Sequence, residues 1–155
     1  KDGYGKHNWV YCMLLNYGAN VGLHGKMDNV IDNYYLAKEN LRARATLKGV
    51  GMTPEGIENN PVMYELLMEL PWRPERFTKE DWLKGYVKAR YGKDEPVLQL
   101  AWGKLANSIY NAPKELTQQG THESVFCARP GLDVYQVSSW SEMKDYYCTL
   151  IYRPV

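Results

Sequence analysis

The sequence is short of the residues that mark a metal centre, a disulfide-bonded domain or a membrane segment. It has 3 cysteines in 155 residues, and Cys12, Cys127 and Cys148 form neither a C-x-x-C pair nor a Cys/His cluster. We therefore expect no metal site and no disulfide framework, and we expect most of these thiols to be buried. Since no apolar run approaches the length of a membrane span, no membrane-crossing helix is expected either.

An excess of charge of one sign is also missing. The net charge is +1, so the chain lacks the basic surface by which proteins bind nucleic acids or anionic membranes. Phenylalanine is scarce, with 2 Phe against 13 Tyr and 5 Trp. Aromatic rings with a polar edge suit half-wet surfaces such as sugar-binding clefts, although packing seams use them as well.

The most informative stretch is the one around Glu55, in the sequence Gly51-Met-Thr-Pro-Glu-Gly56. Proline fixes its own φ and keeps Thr53 out of the helical region, while glycine permits a sharp turn. This pattern predicts a carboxylate on a stiff turn at the end of a strand, as βα units present catalytic groups. The alternative is that Glu55 only caps a helix or forms a salt bridge. Asn60 and Pro61 then predict a helix start, with Asn60 as the side-chain cap.

The sequence pattern of the first half of the chain predicts a βαβ unit. Trp9–Leu15 is an uninterrupted apolar run that predicts a strand buried on both faces. The glycine-rich loop after it fits neither a dinucleotide fingerprint nor a P-loop, and Asn16, Tyr17 and Asn20 either line a site there or are ordinary loop residues. Helical spacing predicts a helix from Asp28 to about Arg44, and Ala45–Val50 is the second strand, parallel to the first.

The second half is predicted to be all-helical. The break at Pro71-Trp-Arg-Pro74 predicts a domain boundary, which gives one unit at 1–72 and another at 73–155. Thr78 with Asp81 resembles a capping box for a helix that runs to Gly92, and Pro96 begins the next helix, which ends before Pro113. Residues 113–137 show no periodicity, and a last helix is expected after Ser139.

With these motifs in place, the chain resembles a known family. Trp9-Val-Tyr-Cys-Met-Leu-Leu-Asn-Tyr-Gly-Ala-Asn-Val-Gly-Leu-His-Gly25 and Gly51-Met-Thr-Pro-Glu-Gly-Ile-Glu-Asn-Asn60 are similar to segments of the α-N-acetylglucosaminidases of glycoside hydrolase family 89. The stretches 62–72, 91–92 and 129–140 look similar too. The resemblance implies a mainly α chain with a small parallel β part: the last two βα units of a (β/α)8 barrel, followed by an all-helical domain.

The resemblance also implies roles for particular residues. Glu55 matches the catalytic nucleophile of the family, whereas the acid/base glutamate lies on an earlier barrel strand with no counterpart here. Asn16, Tyr17, Tyr11 and Trp140 are the expected substrate-binding residues. Tyr11 stands where many relatives have Trp, and Trp140 has the alternative of a core position in the last helix. No cofactor and no metal are expected.

Chemistry supports this assignment for Glu55. In an α-linked N-acetylglucosaminide the acetamido group lies cis to the leaving group, so the protein must supply the nucleophile for a retaining mechanism. The expected partners are a glycan with terminal α-GlcNAc and the remainder of the barrel, with neither nucleic acid nor membrane. A non-catalytic carbohydrate-binding or interaction module is the alternative.

The cellular location is the remaining expectation. The chain does not begin with Met and contains no Asn-x-Ser/Thr sequon. We expect a piece of a longer, exported bacterial protein, with a lysosomal protein as the alternative.

Overall fold

The computed structural model describes residues 4–15, 23–54, 60–112 and 132. These ranges form a two-stranded parallel sheet and several helices. In chain order the elements are β1 (Trp9–Leu14), α1 (Met27–Glu39), α2 (Leu41–Thr46), β2 (Leu47–Thr53), α3 (Pro61–Glu69), a 3-10 turn (Leu70–Trp72), α4 (Lys79–Tyr91) and α5 (Pro96–Ala106). The predicted mainly helical chain with a small parallel sheet is confirmed. No helix in the described ranges is long and apolar enough to cross a membrane.

The βαβ unit is present, with β2 displaced along the chain. The strands pair in parallel, from Val10 with Gly49 to Leu14 with Thr53. The predicted second strand ended at Val50, but β2 continues to Thr53. The Thr53-Pro54 step, which excludes the helical region, therefore lies at the end of β2. Both strands end at one edge of the sheet, which we call the carboxyl edge.

The long helix expected between the strands is two helices. α1 ends at Glu39, and the side-chain oxygen of Asn40 accepts hydrogen bonds from the backbone N–H groups of Arg42 and Ala43, both at 3.0 Å. An asparagine that caps in this way competes with the continuous helical ladder. The prediction of one helix to Arg44 is therefore wrong, and Ala45 and Thr46 belong to α2 rather than to the second strand.

β1 is covered on one face only. Tyr11 and Met13 face α1 and the core, whereas Val10 is 47% exposed and Cys12 is exposed with a free thiol. The prediction of a strand buried on both faces is wrong for this chain, because no described element packs over the second face. Cys12 is not one of the buried thiols, and the expectation that most of the cysteines are buried stays a prediction. Cys127 and Cys148 lie outside the described residues.

The helical region follows its local signals. The hydroxyl of Thr78 accepts from the backbone N–H of Asp81 at 3.2 Å and donates to its carboxylate at 2.8 Å. Gly92 ends α4 in the left-handed region with φ of 70°, and Pro96 is the first residue of α5. These three helix-boundary predictions are confirmed.

One hydrophobic core continues past the predicted boundary after Trp72. Its fully buried members come from α1, α3, the 3-10 turn, α4 and α5, and they include Met27, Met63, Leu66 and Trp82. Buried residues after α5, such as Tyr110, join the same cluster. The boundary stays a prediction, and the core shows that the two proposed units are packed together.

Candidate active site at the carboxyl edge

Four of the predicted site residues lie outside the described part of the chain: Glu55, Asn16, Tyr17 and Trp140. The structure does describe the residues just before each of the segments that contain them. It also describes the residues just after the two segments that contain Asn16 and Glu55. Leu14 pairs with Thr53 as the last pair of the sheet, and paired strands are about 5 Å apart. The segments that contain Asn16 and Glu55 therefore start from adjacent positions at the carboxyl edge.

The same two segments also end side by side. His24 and Asn60 are 2% and 3% exposed, and the backbone N–H of His24 donates to the side-chain oxygen of Asn60 at 3.3 Å. Asn60 is the N-cap residue of α3, as predicted, but its side chain makes no cap hydrogen bond. Its oxygen accepts instead from the neighbouring loop. The described residues that flank 16–22 and 55–59 are therefore adjacent at both ends, through the paired strand ends and through a buried hydrogen bond.

The helical region reaches this edge through residues 109–112. Gly25 donates its backbone N–H to the carbonyl of Ile109 at 3.1 Å and accepts from the N–H of Ala112 at 2.9 Å. Met27 donates to the carbonyl of Tyr110 at 2.9 Å. These bonds attach the segment after α5 to the loop that follows β1, so the barrel-like part and the helical part meet at the carboxyl edge.

Gly25 is required for this close approach. A Cβ built at Gly25 would overlap the sulfur of Met63 and lie 3.1 Å from the ring of Tyr110. Both neighbours are buried, with Met63 at 0% and Tyr110 at 4% exposure. A side chain at position 25 would therefore push apart the loop, α3 and the helical region.

A polar cluster beside Gly25 strengthens the junction, and we call it the Asp28 node (Asp28, Lys79 and Asn111). The Lys79 ammonium lies 2.7 Å from the Asp28 carboxylate, although the Lys79 side chain is only 7% exposed. The side-chain amide of Asn111 donates to the same carboxylate at 2.8 Å, and its oxygen accepts from the N–H of Asp28 at 3.3 Å. The node joins the first turn of α1, the first turn of α4 and the segment after α5.

Sequence reasoning missed the node, although one signal was present. Lys79 shares the buried face of α4 with Trp82, Leu83, Tyr86 and Val87. A lysine in an apolar stripe at helical spacing indicates a buried cation that needs a partner. No local pattern identifies Asp28 or Asn111 as that partner, because both are far away in the sequence.

Tyr11 is the one predicted site residue that the structure describes. Its hydroxyl donates to the carbonyl of Val30 in α1 at 3.1 Å, and its ring meets the edge of Tyr34 with the centroids 5.7 Å apart. Burial raises the pKa of the Tyr11 hydroxyl to about 12. This geometry gives Tyr11 a role in attaching β1 to α1, and its contact with sugar stays a prediction.

The linker between α3 and α4 is also fixed to α1. The Tyr35 hydroxyl donates to the carbonyl of Glu75 at 2.6 Å, and Lys38 donates to that of Pro74 at 2.9 Å. Arg76 pairs with Asp32 at 2.7 Å. Beside this linker a cleft of about 500 Å³ is lined by Glu69, Trp72 and residues 73–77. It lies at the end of α3 remote from the carboxyl edge. Within the described ranges, no three His, Cys, Asp or Glu side chains gather into a metal site.

Solved structures share this arrangement. A family 89 glycoside hydrolase from Clostridium perfringens in complex with PUGNAc superimposes with a TM-score of 0.73 and 28% identity, covering 92% of this chain and 16% of that one. A double glutamate-to-glutamine variant from the same organism, in complex with its substrate GlcNAc-α-1,4-galactose, gives a TM-score of 0.67, with 25% identity over 96% of this chain and 18% of the other. The fold therefore belongs to the glycoside hydrolase class.

Sequence comparison specifies the family. The model of the α-N-acetylglucosaminidase TIM-barrel domain matches residues 1–74, and that of the α-N-acetylglucosaminidase C-terminal domain matches residues 82–154. Human α-N-acetylglucosaminidase is 34% identical over 140 residues, which are 90% of this chain and 18% of that protein. The chain belongs to the α-N-acetylglucosaminidase family, and it spans less than one fifth of the human relative.

Proposed function

We propose that this chain is the carboxyl-terminal part of a retaining exo-glycosidase that removes terminal α-linked N-acetylglucosamine, with Glu55 as the nucleophile. The observation that carries the proposal is the parallel pairing of Leu14 with Thr53 at the carboxyl edge. Asn16 and Glu55 each follow that last pair by two residues. Active sites of such barrels lie at this end of the strands.

The proposed chemistry divides between this chain and the rest of the barrel. Glu55 would attack the anomeric carbon while a carboxylic acid from an earlier strand protonates the leaving oxygen. A retaining enzyme holds these two groups about 5 Å apart, and water then hydrolyses the glycosyl-enzyme intermediate. No metal and no cofactor take part in this scheme.

The remaining predicted residues would hold the sugar. Asn16 and Tyr17 follow β1 and would contact hydroxyl or acetamido groups, whereas Trp140 would approach from the helical domain and stack on the sugar face. Tyr11 would contact the sugar less directly than these residues, since its hydroxyl donates a hydrogen bond to the carbonyl of Val30. The uncovered face of β1, with Val10 and Cys12, would point into the barrel.

The isolated chain is proposed to be inactive. It has no counterpart of the acid/base residue, and losing such a group costs about two to four powers of ten in rate. An incomplete barrel also loses the positioning that a closed pocket provides. We further propose that the full-length protein is exported and bacterial, with the lysosome as the alternative, because the chain has no glycosylation sequon.

The experiment compares the full-length protein with the 155-residue chain on an aryl α-N-acetylglucosaminide. The full-length protein should hydrolyse this substrate and release α-configured GlcNAc as the first product, which NMR would detect. The isolated chain should not hydrolyse it. Glu55→Gln should abolish turnover, and Glu58→Gln is the matched control that should retain it. With Glu55→Gly, added azide should restore cleavage and give the β-glycosyl azide.

Three results would contradict the proposal. Turnover by the isolated chain would show that the missing barrel is not needed. Full activity in Glu55→Gln would show that Glu55 is not the nucleophile. Binding of GlcNAc by the full-length protein without any turnover would favour a non-catalytic carbohydrate-binding module.

A further inference from the structure

We infer that the Asp28 node positions the sugar-binding segments, so that Asp28, Lys79 and Asn111 act as positioning residues for the reaction proposed above. The inference rests on that proposed function. It starts from a buried cation, Lys79, whose carboxylate partner Asp28 also accepts from Asn111, so that Asp28 joins three separate parts of the chain at the carboxyl edge.

The burial of Lys79 makes this arrangement specific. An ammonium group removed from water is costly unless it is paired, and the Asp28 carboxylate at 2.7 Å supplies its close partner. Glu80 lies further away, at 3.6 Å, and is mostly exposed. A buried ion pair often adds little stability compared with apolar residues, but breaking it leaves an uncompensated charge. A shift of the first turn of α4 against α1 would therefore separate the ion pair and leave the buried ammonium group without its close partner.

The node is connected to the described residues that flank both segments proposed to contact the sugar. Asn111 bonds Asp28 through its side chain, and its neighbours Tyr110 and Ala112 bond Met27 and Gly25 through the backbone. Residues 23–27 directly follow the segment with Asn16 and Tyr17 in the chain, and residue 112 directly precedes the segment with Trp140. A displacement at the node would move these described ends.

Arg76 offers a matched control. It also joins the linker before α4 to α1, through Asp32 at 2.7 Å and Glu39 at 3.3 Å. These carboxylates lie further along α1, beyond the turn that meets the carboxyl edge, and the Arg76 side chain is 41% exposed. Arg76→Met thus removes a cation between the same elements without touching the node.

The test uses the full-length protein and steady-state kinetics on an aryl α-N-acetylglucosaminide. We expect Lys79→Met to raise KM about tenfold with little change in kcat, because uniform binding is weakened while the nucleophile is untouched. Asn111→Ala should act in the same direction, Lys79→Arg should recover most of the loss, and Arg76→Met should leave KM unchanged. Hydrogen exchange of residues 23–28 should accelerate in Lys79→Met but not in Arg76→Met.

The outcomes separate the inference from the proposed function. A wild-type full-length protein without activity would overturn the function and, with it, the role of the node for substrate. An active wild type in which Lys79→Met and Asn111→Ala lower only thermal stability, with KM unchanged, would overturn the node alone. Failure of both variants to accumulate as folded protein, while Arg76→Met folds, would also overturn it, since the node would then be a folding requirement.

Discussion

Gly25→Ala should destabilise the protein although alanine usually stabilises when it replaces glycine. Gly25 lacks a left-handed φ, so the backbone would accept alanine. The obstacle is space. The new methyl group would overlap the sulfur of Met63, lie 3.0 Å from its Cγ and lie 3.1 Å from the ring of Tyr110. Neither neighbour can turn into solvent, because Met63 and Tyr110 are 0% and 4% exposed.

Two opposing terms give the size of the effect. Forcing an extra methyl group into a filled core costs about 1–3 kcal/mol. Replacing glycine by alanine lowers the conformational entropy of the unfolded chain, which stabilises the folded state by about 0.4–1 kcal/mol. The net loss should therefore be roughly 1–2 kcal/mol, which corresponds to a fall in Tm of a few degrees for a chain of this size.

The assay is urea unfolding of the 155-residue chain, followed by the fluorescence of buried Trp82 and by far-UV circular dichroism. Gly85→Ala in α4 and Gly103→Ala in α5 are the controls, because a Cβ at either position meets no atom within 4 Å. Each should stabilise the chain by about 0.5–1 kcal/mol. Combining Gly25→Ala with Met63→Val should recover part of the loss, as a double-mutant cycle would measure.

A Gly25→Ala chain as stable as Gly85→Ala would refute this reasoning, because it would show that the loop and α3 can separate without cost. A loss that Met63→Val does not reduce would place the strain at Tyr110 instead.

Three further predictions concern described residues. Cys12 should react with thiol reagents in this chain, once the other two cysteines are serine, and should be protected in the full-length protein; equal reactivity in both would contradict the barrel-interior assignment. Burial raises the pKa of three tyrosine hydroxyls to about 12, those of Tyr11, Tyr86 and Tyr110. Since their pKa is about 10 when unfolded, the stability that they contribute is fully present below pH 10 and is lost as pH rises towards 12. The urea midpoint of unfolding should fall across that pH range, and the tyrosinate absorbance of these three residues in the folded chain should appear only above pH 10. Ionisation of these three hydroxyls at about pH 10 in the folded chain would contradict the prediction. Thr78→Ala should cost about 1 kcal/mol by removing the α4 cap, and Thr78→Ser should not; equal melting of the two variants would count against the cap.

The sequence was sufficient at several helix boundaries where the structural choice depends on neighbouring residues, although the break at Asn40 was missed. Pro61 and Pro96 begin helices, Thr78 caps α4 and Gly92 ends it, as the local patterns predict. These outcomes follow from fixed φ, short side-chain hydrogen bonds and a left-handed glycine, all of which act within one helical turn. The βαβ order and the resemblance of the motifs around Glu55 to a glycosidase family were also accessible from the sequence.

Tertiary structure decided the partners of polar groups and the covering of faces. Asn60 has the local signal of a helix cap, yet its side-chain oxygen accepts from His24, which is 36 residues away. Val10 and Cys12 belong to an apolar run, yet no described element covers them. Lys79 meets Asp28 across 51 residues. A local sequence pattern records the need for a cap, a cover or a counter-charge, but only packing determines which distant residue comes close enough to supply it.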